Sequence, residues 1–206
     1  GLRVLGLPGG FSYSYFLGPV RGWAGAFKII ERAIKVLRNF YEREDTLSIG
    51  VCNGCQLVVA LELIYPNQDQ PPRMEHNASG RFESCFTQAV VQPSNAIMMR
   101  QLVGASLGIW VAHGEGRFSL PQPEASYSIP VKFAQAAFPV NTNGSDYNAA
   151  AICSVDGRHL AIMPHLERSL FPWNWAYRGS ELSGAQEISP WFLAFASARD
   201  WLKNNQ

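Results

Sequence analysis

The stretch Gly50-Val51-Cys52-Asn53-Gly54-Cys55-Gln56 constrains this chain more than any other. The run before it, residues 46–51, is apolar and β-branched enough to be a strand. The run after it, residues 57–63, is apolar enough to be a buried helix. Gly-x-Cys-x-Gly between strand and helix is the thiol form of a nucleophile elbow. The first glycine lets the strand end pass close, and the second lets the helix start turn without a Cβ clash. Cys52 is then expected at the tip of a strained turn at a helix N-terminus. There the dipole favours thiolate, the nucleophilic form, and the Asn53 N–H would point at an oxyanion formed beside the sulfur.

Cys52 and Cys55 also spell C-x-x-C, a spacing used by redox pairs and by half of a zinc site. No second C-x-x-C exists, and Cys85 and Cys153 stand alone, so no metal site is expected. A thioredoxin-like pair usually encloses Gly-Pro or similar rather than Asn-Gly. Cys55, Cys85 and Cys153 read as structural thiols in a core, and Cys52 as the nucleophile.

A chain of 206 residues is long enough for one α/β domain with a sizeable core. Seventeen basic and sixteen acidic residues give +1, which argues against nucleic-acid or membrane-surface binding driven by charge. No uncharged apolar run approaches the roughly 18 residues of a membrane span. Four cysteines without a dense framework suit a reducing compartment, and a cytoplasmic location is expected.

In chain order, residues 2–7 read as a core strand running into Pro8-Gly9-Gly10, a backbone that must turn sharply and approach something closely. A main-chain N–H near Gly9 or Gly10 could be a second oxyanion donor. Trp23, Phe27, Ile30, Ile34, Leu37 and Tyr41 step by four and three, which predicts one amphipathic helix over residues 23–42. Lys28, Arg32, Lys35, Arg38 and Arg43 form its solvated face. The helix returns the chain to the Cys52 strand as a crossover in a mainly parallel sheet. Residues 65–80 form a Pro-, Asn- and Gln-rich loop ending in the polar cluster around His76-Asn77, and a strand is expected over 82–91. A further strand over 107–112 ends in His113-Gly114-Glu115-Gly116-Arg117, a charged, glycine-bearing segment of the kind that forms site walls.

Asn141-Thr142-Asn143-Gly144-Ser145 is turn chemistry. Residues 148–153 and 158–163 read as a hairpin around Val155-Asp156-Gly157. The second strand runs into Met163-Pro164-His165-Leu166-Glu167-Arg168. In extended backbone, residues i and i+2 project to one side, so Glu167 could orient the His165 imidazole. The aromatic stretch 171–177 could pack the domain edge or dock a partner. Ser189 and Pro190 are expected to open a last helix as N-cap and first residue, with Phe192, Phe195 and Trp201 facing inward.

Together these pieces carry a family. The chain resembles the class I, triad-type glutamine amidotransferase domains of phosphoribosylformylglycinamidine synthases, most closely those of the long single-chain type. The matching residues are Pro8-Gly9-Gly10-Phe11-Ser12-Tyr13, Gly22-Trp23-Ala24, Gly50 to Gln56, His76-Asn77, Arg81-Phe82-Glu83, His113-Gly114-Glu115-Gly116, Asn143-Gly144-Ser145 and Met163 to Arg168. Ser14-Tyr15 stands where the family usually carries an Asp. Family domains also have at least one β-α-β unit before the strand at Leu2. The resemblance therefore implies one domain over residues 1–206, incomplete at its N-terminus, with an exposed strand edge there. The implied fold is a flavodoxin-like, mainly parallel sheet flanked by helices.

The resemblance also implies hydrolysis of glutamine by a Cys52-His165-Glu167 triad. Gly10 and Asn53 would form the oxyanion hole and Gln56 would line the substrate pocket. Ammonia would pass to synthetase domains of the same polypeptide, which convert formylglycinamide ribonucleotide to the amidine in purine biosynthesis. No phosphate loop of the Gly-x-x-x-x-Gly-Lys type occurs here. ATP and Mg are accordingly expected in the synthetase part, with no cofactor in this domain. Two other readings stay open: an amidotransferase domain serving another acceptor, such as GMP or CTP synthesis, and a non-catalytic docking domain.

Overall fold

A computed structural model describes residues 1–11, 18–177 and 187–205. Its main sheet has seven strands: β1 (Val4–Leu7), β2 (Leu47–Val51), β4 (Glu83–Val91), β5 (Ser106–His113), β7 (Ser128–Phe133), β8 (Ala149–Cys153) and β9 (His159–Ile162). They lie in the order β1-β2-β9-β8-β7-β4-β5. A small antiparallel pair, β3 (Arg73–Glu75) and β6 (Arg117–Ser119), stands apart. The helices are α1 (Arg21–Ile29), α2 (Glu31–Glu42), α3 (Asn53–Ala60) and α4 (Phe192–Asn204).

The α/β class holds, but the sheet is mixed rather than mainly parallel. Only β1/β2 and β2/β9 pair in parallel, and every other neighbour is antiparallel. The reason is local. β8 and β9 are joined by residues 154–158, far too few for a crossover, and so short a link permits only a hairpin. Asp156 pairs with Arg158, and Gly157 takes φ +78° in the turn, as expected for that hairpin. β2, β8 and β9 are buried throughout, so their sequences are continuous apolar runs instead of alternating ones.

The expected helix over residues 23–42 is two helices. Ile30 leaves helical geometry (φ −91°, ψ 87°) between α1 and α2. A three- and four-residue stripe continues across such a break unchanged, so its spacing cannot reveal the break. Leu37, Phe40 and Tyr41 reach the core, whereas Ile30 is 56% exposed. The basic face lies in solvent as expected.

Helix α4 starts at Phe192, two residues beyond the expected first position. The Ser189 hydroxyl accepts the Trp191 amide at 3.3 Å, one turn ahead of the helix. Trp191, Ala194 and Ala198 fill the inner face. Phe195 and Trp201 pack against the core, but Phe192 points outward. Cys85, expected in the core, is only half-buried. No helix among the described residues is long and apolar enough to cross a membrane. Ser12, Tyr13, Ser14 and Tyr15 lie outside the described residues.

Candidate active site

Cys52 occupies a sharp elbow between β2 and α3, with φ 50° and ψ −107°, a conformation that L-residues adopt only under constraint. The flanking glycines explain how the chain gets there. A Cβ on Gly50 would lie 2.7 Å from the Gly54 carbonyl oxygen, and one on Gly54 would lie 2.0 Å from the Leu7 carbonyl oxygen. Close approach of strand, helix and β1 leaves room for nothing larger. The Cys52 amide bonds Ile162 O at 2.9 Å, and its sulfur lies 3.7 Å from Ala112 O. The elbow is thereby tied to both β9 and β5.

His165 follows β9 and is 1% exposed. Its amide donates to Trp110 O at 2.7 Å. Its Nδ1 lies 2.6 Å from Glu167 Oε1. Glu167 sits in a 3₁₀ turn over Leu166–Ser169, so the pair meets across a tight turn and not along an extended strand. An ionised carboxylate only accepts, which places the ring proton on Nδ1 and leaves Nε2 as a lone-pair site. Nε2 is buried with no hydrogen-bond partner among the described residues.

Gly9 brings imidazole and thiol together. A Cβ at Gly9 would sit 2.7 Å from His165 Cε1 and 3.2 Å from Cys52 Cβ. Both residues therefore border one small space, and the Pro-Gly-Gly turn forms its third side. The adjoining Gly10 has φ +150°, a region open to glycine.

The charge state of the thiol departs from the dipole argument. Burial pushes the Cys52 thiol up to about 11, the Asn53 amide hydrogen bond pulls the other way, and Glu167 adds a further upward push. Desolvation in this packed elbow outweighs a two-turn helix dipole. Cys55, fully buried, is raised well above the ordinary thiol value by burial and by the neighbouring Cys52.

Gln56 lies one turn beyond Cys52, 2% exposed, and donates from Nε2 to Glu115 O at 2.7 Å. Its Oε1 is buried without a hydrogen-bond partner among the described residues. Gln56 and Glu115 border a cavity of about 330 Å³ that Arg21 and Arg73 also line. Among the described residues no group of three or more His, Cys, Asp or Glu could hold a metal ion. Sequence reasoning did not find Ser169, which braces His165, nor the roles of Asn77 and Asn143 around residues 113–116. The local signals were a polar cluster at Asn77 and turn chemistry at Asn143, and neither names a partner.

The chain as a whole has relatives among known proteins. A family model described as a CobB/CobQ-like glutamine amidotransferase domain matches residues 1–202. A human phosphoribosylformylglycinamidine synthase is 42% identical across 97% of this chain, and an Arabidopsis thaliana protein described as a probable one is 40% identical across 95%. The chain spans only 17% and 15% of those two relatives. The structure titled PurLQS from Thermotoga maritima superposes with a TM-score of 0.70 over 97% of this chain and 80% of that one, at 23% identity, which shows a shared fold.

Proposed function

Since the chain belongs to the family of CobB/CobQ-like glutamine amidotransferase domains, we propose that it is the glutaminase domain of a phosphoribosylformylglycinamidine synthase. The observation that carries this reading is the meeting of the Cys52 and His165 side chains at Gly9, with Glu167 behind the imidazole.

Glutamine enters with its carboxamide carbon against the sulfur. The resting thiol is protonated, so His165 Nε2 takes the proton as sulfur attacks. The tetrahedral oxyanion forms beside the elbow, where the Asn53 amide and the backbone at Gly10 stabilise it. His165 then gives the proton to the departing nitrogen, releasing ammonia and leaving a γ-glutamyl thioester on Cys52. In the second half, the imidazole removes a proton from water, which attacks the thioester. Glutamate leaves and the thiol is restored. Glu167 holds the ring with Nδ1 protonated and stabilises its cation throughout.

Ammonia passes to synthetase domains that use ATP and Mg to form formylglycinamidine ribonucleotide, and this domain takes no cofactor of its own. The identity to full-length synthases supports that assignment over other acceptors. Four free thiols fit a cytoplasmic setting.

The test is synthesis of the amidine with two nitrogen sources. Cys52→Ala abolishes glutamine-dependent synthesis and leaves ammonia-dependent synthesis intact, whereas Cys55→Ala keeps glutamine use. Equal loss with Cys55→Ala would move the nucleophile from Cys52.

A further inference from the structure

Asn77 and Asn143 lie in two separate loops and His113 ends β5, and the three converge in one buried network. The three residues are 3%, 2% and 0% exposed. Asn77 donates from Nδ2 to His113 O at 2.7 Å, gives its own amide to Gly114 O at 2.9 Å, and accepts the Gly116 amide on Oδ1 at 3.0 Å. From the other side, Asn143 Nδ2 donates to Gly116 O at 2.6 Å and lies 3.2 Å from His113 Nε2. An amide NH₂ only donates, so that imidazole nitrogen accepts and His113 is neutral. Burial, with His165 nearby, lowers its pKa to about 3, in keeping with that state. Gly116 has no space for a side chain, since a Cβ there would lie 2.0 Å from the His113 ring.

Four consecutive carbonyls, residues 113 to 116, each receive an N–H from outside the turn: from Asn77 twice, then Gln56, then Asn143. The third is informative. The Glu115 carbonyl fixes which end of the Gln56 amide points inward, and so fixes the direction of Oε1, which has no hydrogen-bond partner among the described residues. If the turn shifts, the Gln56 amide is free to flip.

We propose that Asn77 and Asn143 are positioning residues that clamp the 113–116 turn, so that Gln56, the substrate-pocket residue the family resemblance implies, presents Oε1 as an acceptor for the ammonium end of the substrate. This rests on the glutaminase reading above. The clamp acts on recognition and leaves the thiol's own chemistry unchanged.

The test compares two alkylating agents on the 206-residue chain, with modification of Cys52 followed by mass spectrometry. Iodoacetamide needs no recognition, whereas a diazoketone analogue of glutamine must dock its amino-acid end. In Asn77→Asp and Asn143→Asp, which nearly conserve volume and remove the NH₂ donor, the diazoketone rate falls roughly tenfold or more relative to the iodoacetamide rate, the scale of one lost buried hydrogen bond. Gln56→Met gives the same change in ratio while leaving both asparagines in place. Thr46→Ala, which removes a buried hydroxyl at the far end of β2, lowers stability without moving the ratio. An unchanged ratio in the asparagine variants together with a lowered one in Gln56→Met would overturn the clamp alone. Failure of the diazoketone to label Cys52 in the unaltered chain would overturn the glutaminase reading and the clamp with it.

Discussion

The Ser169 hydroxyl is a buried clip on His165: it donates to the His165 carbonyl at 3.2 Å and accepts the Trp110 amide at 3.3 Å. With the His165 amide bonded to Trp110 O, the backbone bearing the imidazole is fastened to β5 by two routes. The same strand meets the Cys52 sulfur at Ala112 O, so thiol and imidazole share one frame.

Ser169→Ala removes one route and leaves the Trp110 amide unsatisfied. The expected cost is about 1–3 kcal/mol of stability, read by urea denaturation. Glutamine hydrolysis should fall further than the stability loss explains, because small displacements of a catalytic group are costly. Wild-type turnover in a folded Ser169→Ala chain would show that the Trp110–His165 bond suffices.

Gly9→Ala inserts a methyl group where His165 Cε1 stands 2.7 Å away and Cys52 Cβ 3.2 Å away. Neither neighbour is the free end of a flexible chain, so imidazole and thiol must separate. Hydrolysis is expected to drop on the order of a hundredfold, the scale of a 1 Å misplacement. Gly10→Ala meets no atom of the described residues within 4 Å and is expected to act through backbone strain at φ +150°. Comparing rates and melting temperatures of the two variants separates steric from conformational effects. A Gly9→Ala chain as active as the parent would contradict the shared space at Gly9.

The elbow was legible because its residues are local: Gly50, Cys52 and Gly54 lie within five positions, although the atom that crowds Gly54 is the Leu7 carbonyl of β1. His165 and Glu167 were legible as a spaced pair, although the extended geometry used to pair them is replaced by a 3₁₀ turn. The sheet order was not legible. Antiparallel pairing of β4 with β5 and β7 depends on contacts that no short window contains. Asn77 and Asn143 were legible only as members of a polar cluster, a turn and the family's motifs, and not as a clamp, since these partners lie 27 to 39 positions away. The dipole argument for a thiolate failed on burial, a property of the whole fold.

Glu167→Gln keeps an acceptor for the Nδ1 proton and removes the charge that steadies the imidazolium. The rate should fall roughly tenfold to a hundredfold with little change in KM, because the cation exists only as the thiol proton is transferred. Glu167→Ala loses orientation as well and should fall further. Steady-state hydrolysis by both variants checks the order, and equal rates in wild type and Glu167→Ala would remove the carboxylate from the mechanism.

At the opposite end of β9, His159 is held neutral in a buried pocket. It stacks on Tyr41 with ring centroids 4.2 Å apart, lies 3.0 Å from Ser48 Oγ through Nδ1, and lies 3.1 Å from Tyr41 O through Nε2. Burial, followed by the adjacent Arg158 cation, lowers its pKa to about 4, against the weaker upward pull of Asp156 and the Tyr41 carbonyl. The unfolded imidazole takes up a proton below about 6.5. Between pH 6.5 and 4 the unfolded state therefore binds one more proton than the folded state, and stability falls as pH falls, by about 1.4 kcal/mol per pH unit for this group. His113 adds a contribution of the same sign down to about pH 3. Neither contributes a slope above pH 6.5. His159→Gln keeps a donor for Tyr41 O and removes one titrating group. Urea denaturation in steps from pH 7 to pH 4 should show the parent slope reduced by about one proton in that variant, with the two curves parallel above pH 6.5. A slope unchanged by the substitution would mean that His159 is already protonated in the folded chain.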